Sequence, residues 1–252
     1  MESEPQINVL WLGFLGSLGA GLATGLGALP TLVFKKTSLK MMDTLLGFSA
    51  GIMLGATSFS LIFPSIKLSN VWVTSLGILL GGVFLATGNY LTPHLHTLAG
   101  RESSPHKRLS RVWLFILAIT IHNFPEGLSV GVGFGTGDIS EGLSLAMGIG
   151  FQNIPEGMAV AFALTREGYG HLVALSYATL TGLVEPIGGL LGVSVVTVAH
   201  SLLPWGLAFA GGAMLFVISS EIIPETHRSG HPIEATFGLL TGFMTMMIFD
   251  SI

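Results

Sequence analysis

Eight apolar stretches, each of about 20 residues or more, divide the chain: 7–33, 43–66, 71–92, 111–135, 141–164, 171–197, 203–224 and 232–250. A helix needs about 20 such residues to cross the hydrocarbon core of a bilayer. In that medium each backbone polar group must be bonded inside the protein, which leaves helices or closed barrels as the spanning elements. The pattern predicts an all-α integral membrane protein with eight transmembrane helices. Only 10% of the residues are charged and half are hydrophobic, where a soluble domain carries about 25% charged residues. One integrated polytopic domain over 1–252 is expected, with no second folded unit in the short outward loops.

The basic residues orient the spans. Lys35, Lys36 and Lys40 fall between the first and second, Arg101, Lys107, Arg108 and Arg111 between the third and fourth, Arg166 between the fifth and sixth, and Arg228 after the seventh. Only Lys67 falls on the other side, so nine of ten basic residues share one face. The positive-inside rule makes that face cytosolic and both termini extracytoplasmic. The first apolar run is too long and too poor in N-terminal basic residues for a cleavable signal peptide. The chain lacks cysteine, which excludes disulfides and thiolate metal sites. No phosphate loop, dinucleotide fingerprint or basic tract is present, so neither ATP nor nucleic acid is expected as a partner. Glycines recur at close spacing, as at Gly21 and Gly25 or Gly238 and Gly242, and such small residues let helices approach closely in lipid.

Against this apolar background stand two near-copies of one phrase, 30 residues apart: His122-Asn123-Phe124-Pro125-Glu126-Gly127 and Gln152-Asn153-Ile154-Pro155-Glu156-Gly157. On a helix, positions i, i+3 and i+4 are neighbours, so each glutamate is flanked by two nitrogen- or oxygen-bearing side chains. Pro125 cannot donate to the Ile121 carbonyl, nor Pro155 to that of Phe151. Both helices are expected to kink there and leave a carbonyl free, as in midplane ion sites of transporters. Counting from the span ends at about 1.5 Å per residue puts both phrases near mid-membrane. Two bare carboxylates at that depth must hold protons or cations. Imidazole, carboxylate and amide without thiolate suit Zn²⁺, Fe²⁺, Mn²⁺ or Cd²⁺, and the donors suffice for two ions bridged by Glu126 and Glu156.

Further polar residues extend the candidate set. Glu185 lies mid-span beside Pro186. Glu221, in Ser220-Glu221-Ile222-Ile223-Pro224, lies nearer the cytosolic end and is a candidate release ligand or proton acceptor. Ser60 and Asp250 both fall toward the outer face, where they could guide a cation inward; the alternative is ordinary interfacial polarity. His94 and His96, in the cytosolic stretch of about 93–110, form a His-x-His pair that is either a weak metal-capture tract or part of a polar linker. Met53, alone on an apolar helix, reads as packing by itself. Glu225, His227, His171 and His200 read as interfacial.

At these residues the chain resembles the ZIP family of divalent-metal transporters, most closely its prokaryotic branch. The resemblance covers nearly the whole chain. It implies a 3+2+3 arrangement, with spans one to three and six to eight as inverted repeats around spans four and five. It also implies a binuclear metal centre held by His122, Asn123, Glu126, Gln152, Asn153, Glu156 and Glu185, with Met53 as a thioether ligand. Two positions depart from relatives: Gln152 and Asn153 stand where His or Asp can occur, and Ser220 where some have His beside the span-seven glutamate. The expected function is import of divalent metal, with Zn²⁺ foremost and Cd²⁺, Fe²⁺ or Mn²⁺ as alternatives, by an elevator-type or rocking movement. A passive metal-selective channel fits the same ligands. An intramembrane zinc hydrolase fits poorly, because the His-Glu-x-x-His motif is missing. The setting expected is a bacterial inner membrane, with no prosthetic group; a homodimer is open to it.

Overall fold

The computed structural model describes residues 8–34, 37–91 and 105–251, and every regular element in them is helical. Helix α1 (Val9–Ala28) ends in a 3₁₀ turn, Leu29–Leu32. Helix α2 (Leu39–Ala56) passes through a π-helical stretch, Thr57–Ile62, into α3 (Phe63–Leu68). Then come α4 (Val71–Leu91), α5 (Pro105–Gly135) and α6 (Ile139–Arg166). The pair α7 (His171–Gly182) and α8 (Glu185–Val198) makes one interrupted span. Helix α9 (Leu203–Val217) runs through a second π-helical stretch, Ile218–Ile222, into α10 (Ile223–Thr226), and α11 (Pro232–Phe249) closes the fold.

Among the described residues, six helical runs are long and apolar enough to cross a membrane: Val9–Leu32, Leu39–Leu68, Val71–Gly88, His171–Val198, His200–Thr226 and Pro232–Phe249. Helices α5 and α6, at 31 and 28 residues, have the length as well but carry the two polar phrases. One expectation is corrected. Residues from Pro105 onward belong to α5, so the stretch expected as a linker over 93–110 is helical in its last part; proline suits a first turn because its missing N–H would be unbonded there anyway. Pro125 and Pro155 lie inside α5 and α6, which run helical on both sides of them. Each proline removes one backbone bond and leaves the carbonyl four residues earlier without its usual donor. Further irregular backbone lies at Leu183-Val184, just before Glu185-Pro186, and in the two π stretches, each followed by a proline, Pro64 and Pro224. Such π insertions are rare and cluster at functional sites.

Glycines set which helices touch. A Cβ on Gly27 would strike the Ile154 carbonyl, and one on Gly157 the Thr24 carbonyl, which seats α1 against α6. Gly127 and Gly131 meet the carbonyls of Glu185 and Gly189, seating α5 against α8. In the same way Gly47 and Gly242 join α2 to α11, and Gly81 and Gly212 join α4 to α9. The result is two groups: α1, α5, α6 and α7–α8 in one, α2–α3, α4, α9–α10 and α11 in the other. The groups thus cut across the sequence triplets, and each takes matching members of both. They meet mainly where α2 lies on α6 and α5 on α9, over a buried apolar core that includes Ile52, Met53, Leu61, Leu145, Leu207, Met214 and Met246. The outer faces carry exposed Trp11, Trp72, Leu79, Leu172 and Phe237, as lipid contact requires.

Candidate metal centre

Helix α5 brings His122, Asn123 and Glu126 to one place, and α6 brings Gln152, Asn153 and Glu156; all six are at most 2% exposed. Glu185, fully buried, is the first residue of α8 and enters beside them because the chain breaks at Leu183-Val184. The second phrase is held by a chain of bonds. Gln152 Nε2 donates to Asn153 Oδ1 (2.7 Å), and Asn153 Nδ2 donates to Glu185 Oε1 (2.6 Å) and to the Ala20 carbonyl (2.8 Å). Ser49 Oγ, from α2 in the other helix group, lies 2.9 Å from Glu156 Oε1 and 3.0 Å from Gln152 Oε1.

The first phrase is barely bonded. Both side-chain polar atoms of Asn123, both carboxylate oxygens of Glu126 and Nδ1 of His122 are buried with no hydrogen-bond partner, as are Oε2 of Glu156 and Oε2 of Glu185. Gln152 is close enough to act electrostatically on Glu126 but does not meet bonding geometry. His122 Nε2 lies 2.8 Å from Glu221 Oε2, a contact at ion-pair distance without hydrogen-bond alignment. Three carboxylates, those of Glu126, Glu156 and Glu185, lie within electrostatic reach of one another, and the His122 imidazole within reach of Glu156. Buried polar groups in proteins are nearly always bonded, and leaving one bare costs about 1–3 kcal/mol, more when charged. A cluster of bare donors on facing helices therefore asks for a further partner. Among the described residues no three His, Asp or Glu side chains already form a metal-holding group; amide and hydroxyl side chains share the space with them.

The remaining sequence candidates fall around this centre. Met53 is 1% exposed, one helical turn from Ser49 on α2. Glu221 belongs to the second π stretch, and its carboxylate reaches α5 at His122. Ser60 belongs to the first π stretch and donates to Asp250 Oδ1 at 2.7 Å; Ser60 is buried and Asp250 exposed. His94 and His96 lie outside the described residues. Glu225 pairs with Arg228 at 3.3 Å, while the His227 ring caps the Ile223 carbonyl at 2.9 Å. Sequence reasoning did not find Ser49. Its one available signal is its place four residues before Met53, on the same helix face. It also passed over Asp43 and His231, 3.0 Å apart, which with Lys40–Glu234 at 2.7 Å tie α2 to α11.

Fold and site define a multi-pass helical membrane protein with a buried set of oxygen and nitrogen donors. A family model described as the ZIP zinc transporter matches residues 86–250. Over 247 residues the chain is 48% identical to the zinc transporter GufA of Myxococcus xanthus, covering 94% of this chain and 97% of that protein. It is 42% identical to the zinc transporter ZIPB of Bordetella bronchiseptica, covering 100% of this chain and 84% of that protein. To the human zinc transporter ZIP11 it is 32% identical, covering 94% and 95%. The chain belongs to the ZIP zinc transporter family. That family and these relatives are transporters, not enzymes, which removes the hydrolase alternative.

Proposed function

We propose that the chain imports Zn²⁺ into the cytosol across a bacterial inner membrane, with eight spans and both termini extracytoplasmic. The ion is held between α5 and α6 by His122, Asn123, Glu126, Gln152, Asn153 and Glu156, with Glu185 from α8 and Met53 from α2. Glu126 and Glu156 bridge two ions when both places are filled. The observation that carries this reading is the row of bare, buried donor atoms at Asn123, Glu126, Glu156 and Glu185. Imidazole, amide, carboxylate and thioether together suit borderline divalent metals, so Cd²⁺, Fe²⁺ and Mn²⁺ are competing cargoes. A metal would enter past Ser60 and Asp250 and leave past Glu221, with the stretch holding His94 and His96 on the receiving side. Protons compete for the same oxygens and would assist release.

The division into two helix groups favours a carrier over a passive channel. Nearly every donor sits on one group, so an elevator-type shift of that group against the other carries the site with it. The lipid bilayer covers the outer faces, and a homodimer would bury part of the same surface. Uptake of Zn²⁺ into proteoliposomes tests the reading. Saturable uptake is expected from the wild type and a loss of roughly tenfold or more from Glu156→Ala, since losing even a partner that only orients a ligand costs roughly 10–100-fold. Equal uptake by the two proteins would overturn it.

A further inference from the structure

Glu156 is gripped from outside its own helix group. Its helix, α6, packs with α1, α5 and α7, whereas Ser49 sits on α2, which packs with α11 and meets α6 across the boundary between the groups. Ser49 is fully buried, and its Oγ stands 2.9 Å from Glu156 Oε1, 3.0 Å from Gln152 Oε1 and 3.2 Å from the Gln152 carbonyl. While one oxygen of Glu156 is so held, the other, Oε2, is buried and bare. The hydroxyl has one proton for these three acceptors; given to Glu156 Oε1, the nearest of them, it fixes the rotation of the carboxylate and leaves the other oxygen for a cation. Partners of this kind, which orient a ligand without touching the metal, are worth about 10–100-fold in metal affinity.

We propose that Ser49 is a positioning residue that makes the metal affinity of the centre depend on how the two helix groups are aligned. This rests on the transport reading given above. In the alignment of this structure Ser49 holds Glu156 in its binding orientation. When the site-bearing group moves along the other, α2 stays behind and Glu156 leaves Ser49. The carboxylate then regains rotational freedom and the ion is held less tightly on the side where it must be released. Met53, on the same face of α2 one turn away, would part from the site in the same movement, so orientation and one soft donor are lost together. Affinity would thus change between the two states with no change in the ligands carried by α5 and α6.

The test compares Ser49→Ala and Ser49→Thr with wild type in two measurements: Zn²⁺ binding to the purified full-length protein by calorimetry, and the concentration dependence of Zn²⁺ uptake into proteoliposomes. Ser49→Ala is expected to weaken binding and raise KM by roughly 10–100-fold, with maximal uptake rate kept within about twofold. Ser49→Thr, which retains the donor, is expected to restore both constants. A Ser49→Ala protein with a lowered melting temperature but unchanged Kd and KM would show a packing role only and overturn the proposal. So would tighter binding, or a fall in maximal rate without a change in KM. Should Ser49→Ala fail to fold, Ser49→Gly removes the same oxygen and is read by the same criteria. Loss of transport in Glu156→Ala is independent of these outcomes, so the import reading can stand while the role of Ser49 falls.

Discussion

Asn153 sits where the charge of the site is decided. Its Nδ2 donates to Glu185 Oε1 at 2.6 Å and to the Ala20 carbonyl at 2.8 Å, two bonds an ionised aspartate cannot make. Asn153→Asp would set a carboxylate against a carboxylate and a carbonyl, away from water. The metal-free protein is expected to lose about 3 kcal/mol or more of stability, the scale of leaving a buried charge unpaired. Zn²⁺ should then raise its melting temperature more than it raises that of wild type, because a cation offsets the added charge. Thermal melts with and without Zn²⁺ check this; identical metal-induced shifts would rule it out. At this scale the sequence was informative wherever chemistry is costly. His122, Glu126, Glu156 and Glu185 stood out because ionisable groups in apolar spans need a reason. Ser49 did not, since a serine in a glycine-rich helix ordinarily bonds back to its own backbone, and its true partners lie 103 and 107 residues away.

The elements are held at backbone distance, and the glycines next to the ligand candidates are part of that. Gly127 follows Glu126 and lies against the Glu185 carbonyl, so α5 and α8 approach at the point where two carboxylates face the centre. Gly127→Ala is expected to force these helices apart and cost about 1–3 kcal/mol. By displacing Glu185 it should also weaken Zn²⁺ binding. Gly19→Ala is the control, because a Cβ there meets nothing within 4 Å; melting temperature and calorimetric Kd separate the two. Element positions were largely legible from apolar run lengths, since bilayer thickness dictates them. The backbone irregularities were less so. Pro125 and Pro155 announced themselves, whereas the π stretches at Thr57–Ile62 and Ile218–Ile222 and the break before Glu185 did not. A proline marks where a bond is missing but not how neighbouring helices compensate.

For the whole molecule, the two helix groups predict which elements can be tied together without loss of transport. The rings of Phe84 and Phe209 meet at a tilt, centroids 5.4 Å apart, between α4 and α9 of one group, whereas those of Phe151 and Phe249 meet at 5.5 Å between α6 and α11, across the boundary. Since the chain has no cysteine, each pair can be replaced by cysteines and bridged with a short bis-maleimide. Bridging 151 to 249 is expected to stop Zn²⁺ uptake, and bridging 84 to 209 to leave at least half of it; equal effects would show that the groups need not move. Sequence could not show this division, because it depends on contacts between spans far apart in the chain. The joining of each glutamate to a helix crossing carries one more consequence. Sliding either phrase by a single residue would swing its carboxylate by about 100° around the helix and drive a side chain into the crossing. Cargo preference can therefore be retuned in place, at neighbours such as Gln152 and Asn153, but the acid itself has no adjacent address to migrate to.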